Sequence, residues 1–541
     1  MKRALPALAA LVVALAAPTA ASAAPFVEPY TDNPVTAEPP VSRPAGPHCT
    51  LTLADHFLSN ARDGSPQNFS GTLAPPSGCP GPWAKVVMDY TISVSGRQFD
   101  RFGDVNIGGT EVYWGTTEEP SGSTPITYTV SKDLTEYSAL LRTAQPFRGG
   151  IINYTSDVYT GVYDQTVTLT YYSGRPPAGV PDAVVGFPAQ DAPAHFTLNG
   201  LPRNIVRADL EVTLEGHGCD EQWFSDVPAD VSAKYPSAGL CTHGPYREAD
   251  FSLDGQPVAA VHTYPHIYTG GIVPTLWRPV PAIHTFSLYA EHVDITPFAG
   301  LLVDGGTHDL TAGVQNAGDE WTVVVTLLLY TDHHAAQTHG SLTTDDVAPT
   351  ATESTTEAPV GSGDTRSVDS TSRTDVTAGW LDTSAGRVYT RVVRTMAYRN
   401  SDTVTDNGFE QRLVQHDSGE QTSTCTRDGH VVSGTRHTYD YPLTVDYTIG
   451  SFVDGNNYSL SGTVDMTQTL SDAVASEHGW QPASRSTEYV DSYGILTRTN
   501  GVVTESDGNA TSRYTGDNDL GQWYVHYLAS DHGLITTDVS P

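Results

Sequence analysis

The chain has 541 residues, a net charge of −34 and only 28 Lys and Arg, so it lacks the clustered cations that a nucleic-acid or anionic-membrane partner requires. A hydrophobic content of 38% excludes wholesale disorder, and the length suggests roughly three or four domains. Gly (49) and Pro (37) are abundant while charged residues reach only 17%, which favours many short strands over a helical fold.

Lys2 and Arg3 precede an apolar stretch from Leu5 to Ala17, and Ala21-Ser22-Ala23 has the form of a cleavage site. Residues 1–23 are therefore expected to be an export signal cleaved after Ala23, giving a secreted, extracellular protein. The stretch falls short of the ~20 apolar residues a membrane span needs, and a Pro-rich linker follows at 24–48. Trp321 to Tyr330 is apolar but only strand-length, so no membrane span is expected. Export permits disulfides. Cys49 with Cys79, and Cys219 with Cys241, would each close a local loop, although sequence alone leaves the pairing open. Cys425 is the odd thiol, and the absence of a C-x-x-C pair leaves a zinc or redox reading unsupported.

From residue 49 onward strand signals dominate. Met88 to Val94 alternates apolar and polar residues, the period of a half-buried strand. Thr166 to Tyr171 and Val206 to Glu215 do the same. Turn clusters such as Pro75 to Gly81 and Asp254-Gly255 separate these runs. This spacing predicts an all-β fold: a first jelly-roll-like β-sandwich at 49–175, a second at 176–339, and a C-terminal β-rich domain at 371–541. The Thr/Ser/Pro-rich stretch 340–370 reads as an exposed linker, and the C-terminal domain as having a smaller core.

Four clusters carry candidate chemistry. In Gly96 to Gly103, Asp100 lies beside Arg101 between two Phe residues, where burial raises a carboxyl pKa and the cation lowers it. That is the setting of a tuned acid/base and equally of a structural ion pair. Glu215 to Phe224 gathers three carboxylates, His217 and Trp223, and reads either as a site or as a charged turn stapled by Cys219. Arg247 with Glu248 is a substrate clamp or a routine pair. Tyr268 to Gly271 with Trp277 and Arg278 suits sugar stacking, yet such aromatics are mostly core. No G-x-S-x-G, P-loop, G-x-G-x-x-G or H-E-x-x-H occurs. His333, His334 and His339 lack a frame for a metal, and no metal site is expected. Asn68, Asn153, Asn457 and Asn509 begin N-glycosylation sequons.

At these residues the chain resembles the peptide:N-glycanase A family of glycopeptide amidases. The matching pieces are GRQFDR (96–101), YTGVY (159–163), HGCDEQWFSDVP (217–228), GPYRE (244–248), SLDG (252–255), YTGGIVPTLWRP (268–279) and DITPF (294–298), in the family's order. The resemblance implies cleavage of the amide that joins Asn to the innermost N-acetylglucosamine of an N-glycan. Its products are an Asp-containing peptide and a glycosylamine. Phe99-Asp100-Arg101-Phe102 resembles the W-D-R-Y motif that holds the catalytic Asp of the F-type amidases, which makes Asp100 the primary catalytic candidate. Glu221 is implied as the second-domain carboxylate and Asp157 as a third, with Glu119 as a further candidate beside the substrate. Arg101, Arg247 and Arg278 would polarise the carbonyl or orient carboxylates, Glu248 competes with Glu221, and Trp223 and Trp277 would stack on sugar. The chemistry calls for no metal or cofactor. The expected partners are N-glycosylated peptides or glycoproteins, and the expected state is a monomer. The competing readings are a glycosidase acting within the glycan core, a non-catalytic glycan-binding sandwich, and a structural cell-surface protein.

Overall fold

The computed structural model describes residues 31–63, 65, 67–120, 122, 124–361, 363–454 and 456–540. The export signal and the first part of the Pro-rich linker lie outside the described residues.

The first unit contains β1 (His48–Ser59), β2 (Phe69–Leu73), β3 (Trp83–Ser95), β4 (Phe102–Ile107), β5 (Thr110–Thr116), β6 (Ile126–Asp133), β7 (Gln145–Ile151) and β8 (Val162–Ser173). They form two four-stranded antiparallel sheets, β1-β8-β3-β6 and β2-β7-β4-β5, the interleaved order of a jelly roll. On β3 the alternation seen in sequence becomes an inward row: Val86, Met88, Tyr90, Ile92 and Val94 are each at most 2% exposed. Each such side chain contributes about 1.5–3 kcal/mol through burial.

The second unit contains β9 (Ala183–Gly186), β10 (Gln190–Asp191), β11 (Ala194–Leu198), β12 (Ile205–Gly216), β13 (Glu248–Leu253), β14 (Gln256–His262), β15 (Glu291–Asp294), β16 (His308–Gln315) and β17 (Trp321–Thr331). Its sheets, β10-β17-β12-β15 and β11-β16-β13-β14, repeat the same interleaving, with β9 added along β17. The two jelly rolls join through apolar and polar contacts, with Phe286 stacked on Tyr128 at 4.6 Å within the core of the first. Tyr113 donates to the Phe286 carbonyl at 2.6 Å, and Thr116 to the Thr285 carbonyl at 2.8 Å. Disulfides link Cys49 to Cys79 and Cys219 to Cys241, and Cys425 is free.

The C-terminal part differs from expectation. Strands β18 (His339–Asp346), β19 (Glu353–Val360), β20 (Asp364–Thr383), β21 (Gly386–Thr405), β22 (Glu410–Arg427), β23 (His430–Asp454), β24 (Asn457–Ser476), β25 (Gly479–Thr499), β26 (Val502–Asp517), β27 (Trp523–Asp531) and β28 (Leu534–Val539) make one 11-stranded antiparallel sheet. The stretch 340–370 is thus not a linker, because β18 and β19 both pair with β20 at one edge of this sheet. Thr favours strands as strongly as it favours loops in composition, and an edge strand needs no aliphatic face. Nor does this part own a smaller core. Leu413, Leu443, Val464, Met466 and Val490 join one contiguous apolar cluster with Trp223, Phe251 and Leu327 of the second jelly roll. The inward positions of β20 include Thr365, Ser367, Asp369, Arg373 and Asp375, buried as polar groups, which hides the strand from any search for apolar alternation. The Pro-rich segment from residue 31 is likewise packed, with Ala37 fully buried and Val35 N–H donating to the Pro279 carbonyl at 3.0 Å.

Candidate active site

β3 ends at Ser95, and Gly96 turns the chain with φ +103°. A Cβ there would lie 2.8 Å from Thr160 Oγ1 and 3.0 Å from the Gly161 nitrogen, so only glycine passes beneath the 160–161 loop. The turn delivers Asp100 to the seam between the two jelly rolls. There its Oδ2 accepts a hydrogen bond from Gly270 N–H at 3.0 Å. A Cβ on Gly270 would fall 2.5 Å from Glu119 Oε2 and 3.0 Å from Asp100 Oδ1, so both carboxylates crowd the space that a side chain there would need. Thr269 Oγ1 donates to the Thr117 carbonyl at 2.9 Å, and Trp277 Nε1 donates to the Gly271 carbonyl at 2.9 Å. Both bonds fix the diglycine turn. Arg278 donates through Nε and Nη2 to the Glu119 carbonyl at 3.2 and 3.0 Å, and its Nη2 lies 3.8 Å from Glu119 Oε1.

Burial drives the electrostatics. It raises the Asp100 carboxyl, opposed by Gly270 N–H and the charge of Arg101. It lifts Glu119 to about 8, reinforced by the charge of Asp100, and Glu118 to about 8 against the pull of Arg278. Glu221 rises to about 7 by burial and by repulsion from Asp100. Glu215 rises to about 8 by burial, with Trp114 Nε1–H bonded to its Oε2 and opposing the rise. Carboxyl groups so placed cannot all ionise together, and the cluster holds protons at neutral pH. His217 bonds Thr322 Oγ1 at 2.9 Å and lies 3.2 Å from Glu215 Oε1, and burial lowers its pKa so that the ring stays neutral. Phe102 meets the rings of His217 and Tyr268 edge-on at 5.4 and 5.2 Å, forming an aromatic wall.

The fold therefore brings together Asp100, Glu119, Glu221, His217 and Arg278. Arg101 adjoins them but turns its guanidinium to Gln98 Oε1, at 2.6 Å, and over Phe99. Five other candidates are placed elsewhere. Asp157 is 91% exposed at the side chain and pairs with Arg62 at 3.0 Å, with no hydrogen bond or ion pair to the cluster among the described residues. Trp223 is core, 3% exposed and packed against Phe224 and Tyr398. Arg247 is buried between Asp220 and Asp226 at 2.7 and 2.6 Å, which makes it a strut and not a clamp. Glu248 does not line the site. Burial pushes its carboxyl up, but the His262 ring, Arg373 and Tyr246 outweigh that and hold it down at about 2. Trp277 is fully buried and acts through the turn it supports. Sequence alone does not single out Glu118 or the Gly270 N–H, and it gives Glu215 only as one of three carboxylates in a cluster. Glu118 adjoins Glu119, and Glu215 ends an alternating strand, but only folding shows that both are buried. Glu136, Glu211 and His292 bring potential metal-ligand atoms within 4.8 Å of one another, but both Glu211 oxygens already accept from Tyr137 at 2.6 Å.

Residues 34–348 match the family model described as peptide N-acetyl-beta-D-glucosaminyl asparaginase amidase A, and residues 367–443 match the model of the PNGase_A C-terminal domain. The chain is 30% identical over 412 residues to the peptide-N4-(N-acetyl-beta-glucosaminyl)asparagine amidase A of Prunus dulcis, across 70% of this chain and 71% of that relative. Among solved structures it is similar to PNGase F, a glycosylasparaginase from Flavobacterium meningosepticum. That match has 14% identity and a TM-score of 0.35, over 53% of this chain and 96% of that one. PNGF-II matches at 13% identity and a TM-score of 0.35, over 53% of this chain and 66% of that one.

Proposed function

Because the chain belongs to the peptide N-acetyl-beta-D-glucosaminyl asparaginase amidase A family, we propose that the site at the jelly-roll seam hydrolyses the amide between Asn and the innermost N-acetylglucosamine of N-glycopeptides and glycoproteins. The observation that carries this reading is the juxtaposition of Asp100, held by Gly270 N–H, with Glu119 beside the same glycine, within a set of buried carboxyls. An amide nitrogen leaves only when protonated, so the site must both deprotonate water and deliver a proton.

Asp100 is the general base. It takes a proton from water as the oxygen attacks the side-chain carbonyl of Asn, and Gly270 N–H steadies its anionic form. The tetrahedral intermediate then collapses, the C–N bond breaks, and the proton passes to the departing glycosylamine. Glu119, with a pKa near 8, is protonated at neutral pH and serves as the proton reservoir beside Asp100. Glu221 orients the water or the sugar, and Arg278 holds the Glu119 backbone in place. No metal enters this scheme. The protein acts as a secreted monomer. N-terminal sequencing from Ala24 and light scattering of the purified protein check these two points.

The test is a defined N-glycopeptide incubated in oxygen-18 water and read by mass spectrometry. Conversion of Asn to Asp carrying one heavy oxygen is expected, and Asp100→Asn should abolish it without unfolding the protein. A peptide that retains one N-acetylglucosamine would replace the amidase by a glycosidase, and an unaltered glycopeptide across pH 4–8 would leave only a binding role.

A further inference from the structure

The 11-stranded sheet packs against the loop that follows the diglycine turn of the site. Gly462, Gly494 and Gly508 stand opposite one another on β24, β25 and β26, in direct register. Three glycines in a row across strand interiors are costly unless another backbone must come close. Here one does. The loop that follows the diglycine turn, Ile272 to Leu276, lies in the trough that the glycines leave. A Cβ on Gly494 would sit 2.7 Å from both Leu276 N and Thr275 Oγ1, and one on Gly508 would collide with the Thr275 carbonyl oxygen. On Gly462 it would meet Ile272 Cγ2 at 3.4 Å. Thr275 Oγ1 donates to the Ile495 carbonyl at 3.2 Å, pinning the loop along β25.

The same loop carries the site. Trp277 Nε1 ties it back to the Gly271 carbonyl, and Gly270 N–H reaches Asp100. We propose that the glycine trough of β24–β26 is a positioning element for the reaction: its depth sets how far Gly270 N–H stands from Asp100, so Gly494 and Gly508 are positioning residues although neither touches the carboxylates. This rests on the amidase reading above. It assigns to the C-terminal sheet a part in the chemistry, beyond closing the core. A Cβ in the trough lifts Thr275 and drags the diglycine turn with it. Catalytic geometry is sensitive on this scale, since a displacement of about 1 Å costs up to about a hundredfold in rate.

The experiment compares Gly508→Ala and Gly494→Ala with Gly313→Ala, a strand glycine with open space around its Cβ position. Glycopeptide kcat and KM are measured alongside melting temperature and hydrogen exchange of the full-length protein. The expected result is a roughly tenfold to hundredfold fall in kcat for the trough variants, KM within about twofold, and faster exchange confined to the 267–278 segment. Gly313→Ala should match the wild type. If Gly508→Ala does not fold, Thr275→Val, which removes the bond to Ile495 and keeps the shape, should give the same split. The proposal is overturned by an unchanged kcat in a folded trough variant. A raised KM at constant kcat, or exchange that rises evenly along the chain, also overturns it. A wild-type protein that releases no glycan defeats the amidase reading instead, and local exchange at 267–278 still tests whether the trough holds the turn.

Discussion

Arg247 offers a sharp test of burial against recognition. Its guanidinium is fully enclosed, and Nη2 reaches Asp220 and Asp226 at 2.7 and 2.6 Å while Nη1 donates to the Gly244 and Tyr246 carbonyls at 2.7 and 3.0 Å. Asp220 also accepts from Trp321 and Gly318, so the carboxylate cannot turn away when its partner is lost. Arg247→Met keeps most of the volume and removes the charge. Breaking a buried pair from one side costs about 3–5 kcal/mol, because the remaining charge has neither water nor a counterion. That corresponds to a fall in melting temperature of roughly 4–7 °C for the large unit that the second jelly roll and the 11-stranded sheet form around one core, at about 2.1 cal/mol/K of unfolding entropy per residue. Urea unfolding followed by tryptophan fluorescence, with glycopeptide KM on the folded variant, reads both consequences. A loss of stability below about 1 kcal/mol, together with a KM raised tenfold, would refute the strut and restore Arg247 as a substrate clamp.

Two further outcomes follow from the site and its surroundings. Glu118, Glu119 and Glu215 have folded pKa values raised to about 8 from 4.5, so their contribution to stability is full at low pH and is lost as pH rises toward 8. Glu248, lowered to about 2, acts in the opposite sense and its contribution fades below about 4.5. The urea midpoint should therefore be higher at pH 5 than at pH 8 and should fall again near pH 3; a midpoint that climbs from pH 5 to 8 contradicts the buried-acid assignment. Asp157→Asn removes an exposed pair with Arg62, worth less than about 1 kcal/mol, and should leave kcat/KM within about twofold; a hundredfold loss would return Asp157 to the catalytic set.

The jelly rolls were legible where burial is aliphatic. Met88 to Val94 shows its inward face in the bare alternation of residue types, whereas in Val206 to Glu215 the polar face that reads as exposed, Asp209, Glu211, Thr213 and Glu215, is buried as well. The large sheet was legible only in part: a β-rich region was expected from 371, but not its first strands, and β20 buries Asp369, Arg373 and Asp375 where a periodicity search expects Leu or Val. Those charges are affordable only through partners far along the chain: Arg373 meets Glu248 at 2.6 Å, across 125 positions of sequence. The site divides in the same way. Asp100 and Glu119 stand in short motifs and can be picked out. Arg247 and Trp223 look equally functional in sequence, and only their complete enclosure shows that they hold the fold. The Gly270 N–H has no side-chain signature, since its role is a backbone direction.

The packed segment near the N-terminus has a consequence for biosynthesis. Asp32 N–H bonds the Gly533 carbonyl at 2.9 Å and its carboxylate receives Ile535 N–H at 2.8 Å, while Asn33 accepts from Thr127 N–H of the first jelly roll at 2.8 Å and Val35 bonds Pro279 just past Arg278. The segment beginning at Asp32 is thus seated by a strand 503 positions further along the chain. On a ribosome-bound chain the segment that bonds Pro279 finds its partners at Gly533 and Ile535 only after strand β28 has emerged. A chain truncated before Gly533 lacks both of the partners that Asp32 finds on the large sheet.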